Sequence, residues 1–184
     1  MNSSHEMLAK LKQKAPNANV IQADITQYHT EEKFDYIFIS SGSVSLFTDM
    51  GLCKSILRKL KELLKPGGEF VFAVDTVENR CSDDDRYKTS ISVKIEEGFD
   101  LILKTKNRYD ESSQTQFSPG IYELHNGSEV LQSELMDFQT HLYKFGEMEQ
   151  ILKEIGLKHI TTYSSFQKEI AVNDKCDMFL FECR

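Results

Sequence analysis

The segment ILRKLKELLKPGGEFVFAVDT, residues Ile56–Thr76, constrains the fold more than any other stretch. Cys53, Ile56, Leu57, Leu60, Leu63 and Leu64 form an apolar stripe at helical spacing. Lys65-Pro66-Gly67-Gly68 then closes the helix, because proline cannot continue it and glycine supplies the positive φ of a tight helix-to-strand turn. An apolar, β-rich run follows at once over Glu69–Asp75. A helix delivered directly into a buried strand is the repeating joint of an α/β sheet.

Other elements take their places around that joint. Ser3-x-x-Glu6 is a capping-box pattern ahead of Met7, Leu8 and Leu11, and Pro16 ends that helix. Val20–Ala23 reads as a short strand closing at Asp24, and Phe34–Ile39 as a central one. Ser40-Ser41-Gly42-Ser43 breaks the latter, and Thr48 or Asp49 caps the striped helix. Helix, strand, strand, helix, strand predicts a mostly parallel sheet with helices on its faces.

From Tyr87 the pattern alternates instead. Ile91, Val93 and Ile95, then Leu101 and Leu103, point to antiparallel strands, and Asn126-Gly127 is a hairpin signal before Glu129. Three or four strands are expected here, although Val130–Phe138 also fits a helical period. Met148, Ile151, Leu152 and Ile155 then stripe a helix ended by Gly156. Strands at Lys158–Tyr163 and Met178–Cys183 follow, the last antiparallel. With no repeat or linker, residues 1–184 read as one domain carrying an antiparallel insert over 87–140.

Charge and cysteines narrow the function classes. Lys plus Arg number 22 against 29 Asp plus Glu, a formal charge of −7, which disfavours nucleic acid or an anionic membrane as partner. The four cysteines form no Cys-x-x-Cys pair, so a metal or redox site is not expected and reduced thiols in a cytoplasmic protein are. The five histidines have no metal spacing, and exposure or a local hydrogen bond is the default for each. No apolar run approaches the roughly 20 residues of a membrane span, and the N-terminus lacks the pattern of a signal peptide.

Four pieces then carry a family resemblance by their order and spacing: VIQADI (Val20–Ile25), KFDYIFISSGSVSLFTD (Lys33–Asp49), the opening segment Ile56–Thr76, and HLYKFGEMEQILKEIGLKHI (His141–Ile160). Together the sequence resembles a class I S-adenosylmethionine-dependent methyltransferase that lacks the N-terminal glycine-rich motif. The resemblance implies a Rossmann-like α/β fold, S-adenosylmethionine as cofactor and a small-molecule methyl acceptor. In an open parallel sheet ligands sit outside the carboxyl ends of the strands, where Asp24, Ser40, Ser41 and Asp75 fall. By the resemblance Asp24 and the Ile25 N–H hold the adenine, and Ser40 and Ser41 line the sulfonium side. Each also has a plainer role: Asp24 can cap the loop that follows it, and Ser40–Ser43 can be a simple turn. Tyr87, Tyr109 and Tyr122 either close over a substrate or pack. No general base is assigned, since methyl transfer from a sulfonium rests on alignment and desolvation.

The resemblance also places a strand, a Gly-x-Gly turn, a helix and a second strand ending in an acidic residue first. The sequence contains no Gly-x-Gly, and Asn2 occupies or neighbours the acidic slot, where an amide makes only part of the ribose contacts. A truncated enzyme with impaired activity and negligible cofactor binding is therefore expected. The alternatives are a methyltransferase-like interaction or regulatory module that does not bind the cofactor, and a ligand-binding α+β domain. Without a first strand, one edge of Phe34–Ile39 is bare. Either Val20–Ala23 moves in to pair with it, or two chains join edge to edge as a homodimer; the homodimer is expected.

Overall fold

The structure, a computed structural model, describes residues 4–95 and 98–184. The first helix, α1 (His5–Lys14), is capped by Ser4, whose Oγ accepts the Met7 N–H at 3.2 Å. The cap thus falls on Ser4; Ser3 and Asn2 lie outside the described residues.

The joint singled out in the sequence forms the centre of the molecule. β1 (Phe34–Ile39) leads through a short 3-10 turn at Ser43–Leu46 to α2 (Met50–Glu62), and α2 into β2 (Leu64–Asp75). Asp49 caps α2 by accepting the Leu52 N–H at 3.0 Å. Ladder pairing between β1 and β2 jumps from Phe34–Leu64 to Tyr36–Glu69, so the Pro-Gly-Gly turn is absorbed as a bulge within β2. Gly67 has φ +79°, and a Cβ on Gly68 would lie 2.9 Å from the Phe34 carbonyl oxygen.

Seven strands follow: β3 (Lys88–Lys94), β4 (Asp100–Thr105), β5 (Arg108–Asp110), β6 (Thr115–Phe117), β7 (Gly120–Asn126), β8 (Glu129–Met136) and β9 (Gln139–His141). The chain ends with α3 (Glu147–Glu154), β10 (Ile160–Tyr163) and β11 (Met178–Cys183). Among the described residues no helix is long and apolar enough to cross a membrane.

The main sheet has the order β1-β2-β11-β10. β1 and β2 pair in parallel, while β11 runs antiparallel to both β2 and β10. Three of its four strands therefore point the same way, but it is a mixed sheet with one parallel pair, not the mostly parallel sheet expected. Val20–Ala23 is a second correction. It forms no strand; only Gln22 takes part in an isolated bridge. A four-residue run holds an extended ladder only beside a neighbour, and no strand among the described residues pairs along it.

One face of the main sheet carries the core. Phe70, Phe72 and Phe181 stack with centroids 4.7 and 5.2 Å apart. Cys53, Ile56 and Leu57 of α2 and Met148, Ile151 and Leu152 of α3 cover them. Burying one such side chain contributes about 1.5–3 kcal/mol.

The region after β2 is antiparallel, in two sheets. β3-β4-β7-β8 form one, with the expected Asn126-Gly127 turn between β7 and β8, and Val130–Met136 is strand. β5-β6-β9 form a second sheet that the alternation did not reveal, because three-residue strands carry too little periodicity. This small sheet abuts the carboxyl end of β2: Tyr143, just past β9, donates its N–H to the Asp75 carbonyl at 2.9 Å, and Val77 donates to Tyr143 at 3.2 Å.

Candidate active site

Where β1 ends, the chain turns through two consecutive left-handed residues, Ser41 (φ +59°) and Gly42 (φ +63°). The Ser40 carbonyl closes the turn by accepting the Ser43 Oγ–H at 2.9 Å. Glycine is required at 42 on two counts, since a Cβ there would also stand 3.2 Å from Asp75 Oδ2. The turn thus brings the Gly42 backbone against the last side chain of β2. Ser45, fully buried in the 3-10 turn, accepts the Asp75 N–H at 2.8 Å and fixes the two strand ends together. Burial pushes the Asp75 carboxyl above the usual carboxylate range, against hydrogen bonding to Ser45 and Asn79. Gly42 and Ser45, in the turn that follows Ser40 and Ser41, are thus the residues that meet Asp75 at the strand ends.

Asp24 and Ile25 occupy a separate loop, and no hydrogen bond joins them to Ser40–Ser41 among the described residues. Asp24 Oδ1 accepts both the N–H and the Oγ1–H of Thr26, each at 2.8 Å, and these bonds lower its pKa. The loop-capping role is therefore real, but it uses one oxygen only. Oδ2 and the Ile25 N–H have no partner among the described residues. Lys59 of α2 reaches across to the Ile25 and Thr26 carbonyls at 3.1 Å and ties the loop to the helix. The Ile25 side chain packs on the core. Asn2, the remaining candidate, lies outside the described residues.

Sequence reasoning missed a buried polar cluster beside this end of the sheet. His141 at the end of β9 is 4% exposed, which corrects the expectation of solvent exposure and leaves the hydrogen bond. Its Nε2 lies 2.9 Å from Glu147 Oε1, and Gln114 donates to Glu147 Oε2 at 2.9 Å. Burial pulls the Glu147 carboxyl up, but bonds from His141, the Lys144 N–H and Gln114 outweigh it, and its pKa is lowered. Since a carboxylate only accepts, Nε2 carries the proton, and Nδ1 is buried with no partner among the described residues. Residues so far apart in sequence give no local signal of this cluster.

A cleft of about 330 Å³ opens between the loop after β2 and the β5–β6 hairpin, lined by Arg80, Cys81, Ser82, Asp83, Tyr109 and Glu111. The Arg80 guanidinium sits 5.2 Å from the Tyr109 ring centre, an arrangement that holds the ring at the cleft wall. Tyr109 thus lines the cleft. Tyr122 is half-buried on the β7 face and Tyr87 is exposed.

Comparison with known proteins agrees with this architecture. Residues 1–68 match the family described as methyltransferase domain, a stretch that contains Asp24, Ile25, Ser40 and Ser41. No curated protein matches. Among solved structures, the CcbJ methyltransferase of Streptomyces caelestis is similar at TM-score 0.74 and 18% identity, over 99% of this chain and 72% of that one. An S-adenosylmethionine-dependent methyltransferase of Clostridium acetobutylicum gives TM-score 0.73 and 18% identity, with the same coverage. The sugar N-methyltransferase KedS8 of a Streptoalloteichus species gives 0.73 and 16%, over 97% of this chain and 68% of that one. The first 68 residues of the present chain thus match the methyltransferase-domain family, and the chain as a whole has the fold of the class I S-adenosylmethionine-dependent methyltransferases.

Proposed function

We propose that the protein transfers a methyl group from S-adenosylmethionine to a small molecule. The observation that carries this reading is the meeting of Gly42 with Asp75 at the carboxyl ends of the one parallel strand pair among the described residues. That is where an open α/β sheet takes its ligands. The residues present fit the adenosine end of the cofactor. Asp24 Oδ2, held ionised by the Thr26 bonds, is free to accept from an exocyclic amine, and the Ile25 N–H is free to donate to a ring nitrogen.

The cofactor, when bound, supplies an electrophilic methyl on a sulfonium. The chain's share is binding, orientation and exclusion of water. Lys59 holds the adenine loop on α2, and the Ser41–Gly42 turn sets the backbone on the sulfonium side. The acceptor is assigned to the cleft of Arg80, Cys81, Tyr109 and Glu111, where Glu111 and Tyr109 suit a hydroxyl- or amine-bearing molecule. Two structural neighbours are described as a sugar N-methyltransferase and an amino pentose methyltransferase, which supports the same class of acceptor.

The alternative reading is a methyltransferase-like interaction module that does not take the cofactor. Calorimetric titration with S-adenosylmethionine and with S-adenosylhomocysteine separates the two. Saturable binding of either supports the enzyme; no heat from both supports the module.

A further inference from the structure

The two walls of the cleft come from different elements. One is the loop Arg80–Asp83 after β2, and the other is the β5–β6 hairpin, with Tyr109 and Glu111. Gln116 of β6 pairs directly with Tyr109 of β5, so their side chains share one face of the small sheet. The loop meets that pair at two consecutive residues. The Arg80 guanidinium lies 5.2 Å from the Tyr109 ring centre, and Cys81 donates its N–H to Gln116 Oε1 at 3.1 Å. We propose that Gln116 is the positioning residue of the methyl acceptor, an inference that rests on the reading of this cleft as the acceptor site. It sets Arg80 and Cys81 against Tyr109 and Glu111 from behind the cleft lining.

The chemistry of the place calls for glutamine. Gln116 is 4% exposed, and its Nε2 donates to the Arg108 and Phe117 carbonyls, each at 3.3 Å. One amide therefore accepts from the loop and donates to both strands of the hairpin. The opposite orientation would set donor against donor at Cys81 and oxygen against oxygen at the two carbonyls. An apolar side chain of the same size would fill the space and leave all three backbone groups without this partner. A glutamate would keep the acceptor and lose the donors.

The other ties between the walls differ in kind. Tyr109 donates its N–H to Asp83 Oδ1 at 2.9 Å, but Asp83 is exposed. A hydrogen bond shielded from water is electrostatically stronger than one in reach of it, so the buried amide holds the register of the walls. Asp84 Oδ2 accepts the Asn107 N–H at 3.0 Å and its Nδ2–H at 2.9 Å, outside the cleft lining. These bonds keep the two segments joined when Gln116 is changed, so its loss displaces the walls without detaching them. On its other side Gln116 pairs with Thr140 of β9, next to the His141–Glu147 pair, and the clamp is thereby anchored on α3.

The test compares Gln116→Met, which removes all three bonds at similar volume, with Gln116→Glu, which removes only the donors. Gln132→Met, at an exposed position of β8, is the control. NMR of the ¹⁵N-labelled full chain reads the clamp without cofactor or acceptor. The Tyr109 amide, which Gln116 does not bond, should shift in both Gln116 variants and stay in place in the control. The Cys81 amide should lose exchange protection in Gln116→Met and keep it in Gln116→Glu. Turnover is then followed with S-adenosylmethionine and glucosamine, ethanolamine or phenol as acceptor probe. In both variants kcat/KM for the acceptor should fall roughly tenfold, with the calorimetric Kd of S-adenosylmethionine unchanged. A Tyr109 amide that does not move, an unaltered acceptor kcat/KM, or a cofactor Kd that weakens in step with it would overturn the proposal. A parent that methylates none of the three probes fails the acceptor reading and the positioning role with it. A parent that methylates one, matched by the variants, fails the positioning role alone. If Gln116→Met does not fold by circular dichroism, Gln116→Glu decides.

Discussion

At Asp24 one carboxylate oxygen holds the loop and the other is left for a ligand, so two substitutions can tell these roles apart. Asp24→Asn keeps an oxygen for Thr26 and turns an amide NH₂ toward the adenine amine, donor against donor. It should leave the fold intact and weaken S-adenosylmethionine binding by about 1–3 kcal/mol, the cost of an unpaired buried partner. Asp24→Ala should weaken binding as much and loosen the loop as well. Calorimetry reads both, and unchanged affinity in either variant would remove Asp24 from the site. Glu147 gives a pH-dependent prediction. Its folded-state pKa is lowered, so its ionised form stabilises the protein above the ordinary glutamate range, and that contribution disappears as pH falls through the folded-state value. Glu147→Gln should cost about 1–3 kcal/mol at neutral pH, since it breaks the acceptor shared by His141 and Gln114. The gap to the parent in urea unfolding should then narrow in acid. A gap of constant size from neutral to acidic pH would show that the ionised carboxylate is not the source.

Among the elements, the helix-to-strand joint was the most legible in the sequence, because leucine periodicity and the Pro-Gly-Gly turn are both local signals. The two glycines nevertheless differ in what they do. Gly67 needs its left-handed φ but faces open space, whereas a Cβ on Gly68 would crowd the Phe34, Lys65 and Asp35 carbonyls at 2.9, 3.0 and 3.2 Å. Gly67→Ala should cost about 1–2 kcal/mol of left-handed strain. Gly68→Ala should cost more, at the upper end of the roughly 1–3 kcal/mol of overpacking, because backbone and not a flexible side chain must move. It would also spread β1 from β2. Equal urea midpoints for the two variants would contradict this account. Val20–Ala23 was misread for the opposite reason: its residues suit a strand, but a strand exists only with a neighbour, and neighbours are not a local property of sequence. The β5-β6-β9 sheet was invisible for want of length, and with it the burial of His141. Ser40, Ser41 and Asp75 were legible as strand ends, yet the contact of Gly42 with Asp75 depends on two left-handed residues that no propensity announces.

At the scale of the whole molecule, the four cysteines report on how far the core acts as one unit. Cys53 on α2 and Cys183 on β11 are both fully buried in the same cluster, while Cys81 is exposed and Cys176 is intermediate. Burial pushes the Cys183 thiol up to about 12, and it raises Cys53 as well against a hydrogen bond from Tyr143. Alkylation needs the thiolate and access to it, and both are denied to these two in the folded state. A thiol reagent at neutral pH should therefore modify Cys81 first and Cys176 more slowly. Cys53 and Cys183 should follow together, at the rate at which the sheet separates from α2 and α3. Their wide separation in sequence makes the comparison informative, because the shared core cluster, not sequence proximity, joins them. If the molecule opens as a single cooperative unit, mass spectrometry will find the two modified in step across a range of urea concentrations. If Cys183 reacts well before Cys53, β10 and β11 peel away as a separate unit and the main sheet is held chiefly by β1, β2 and α2.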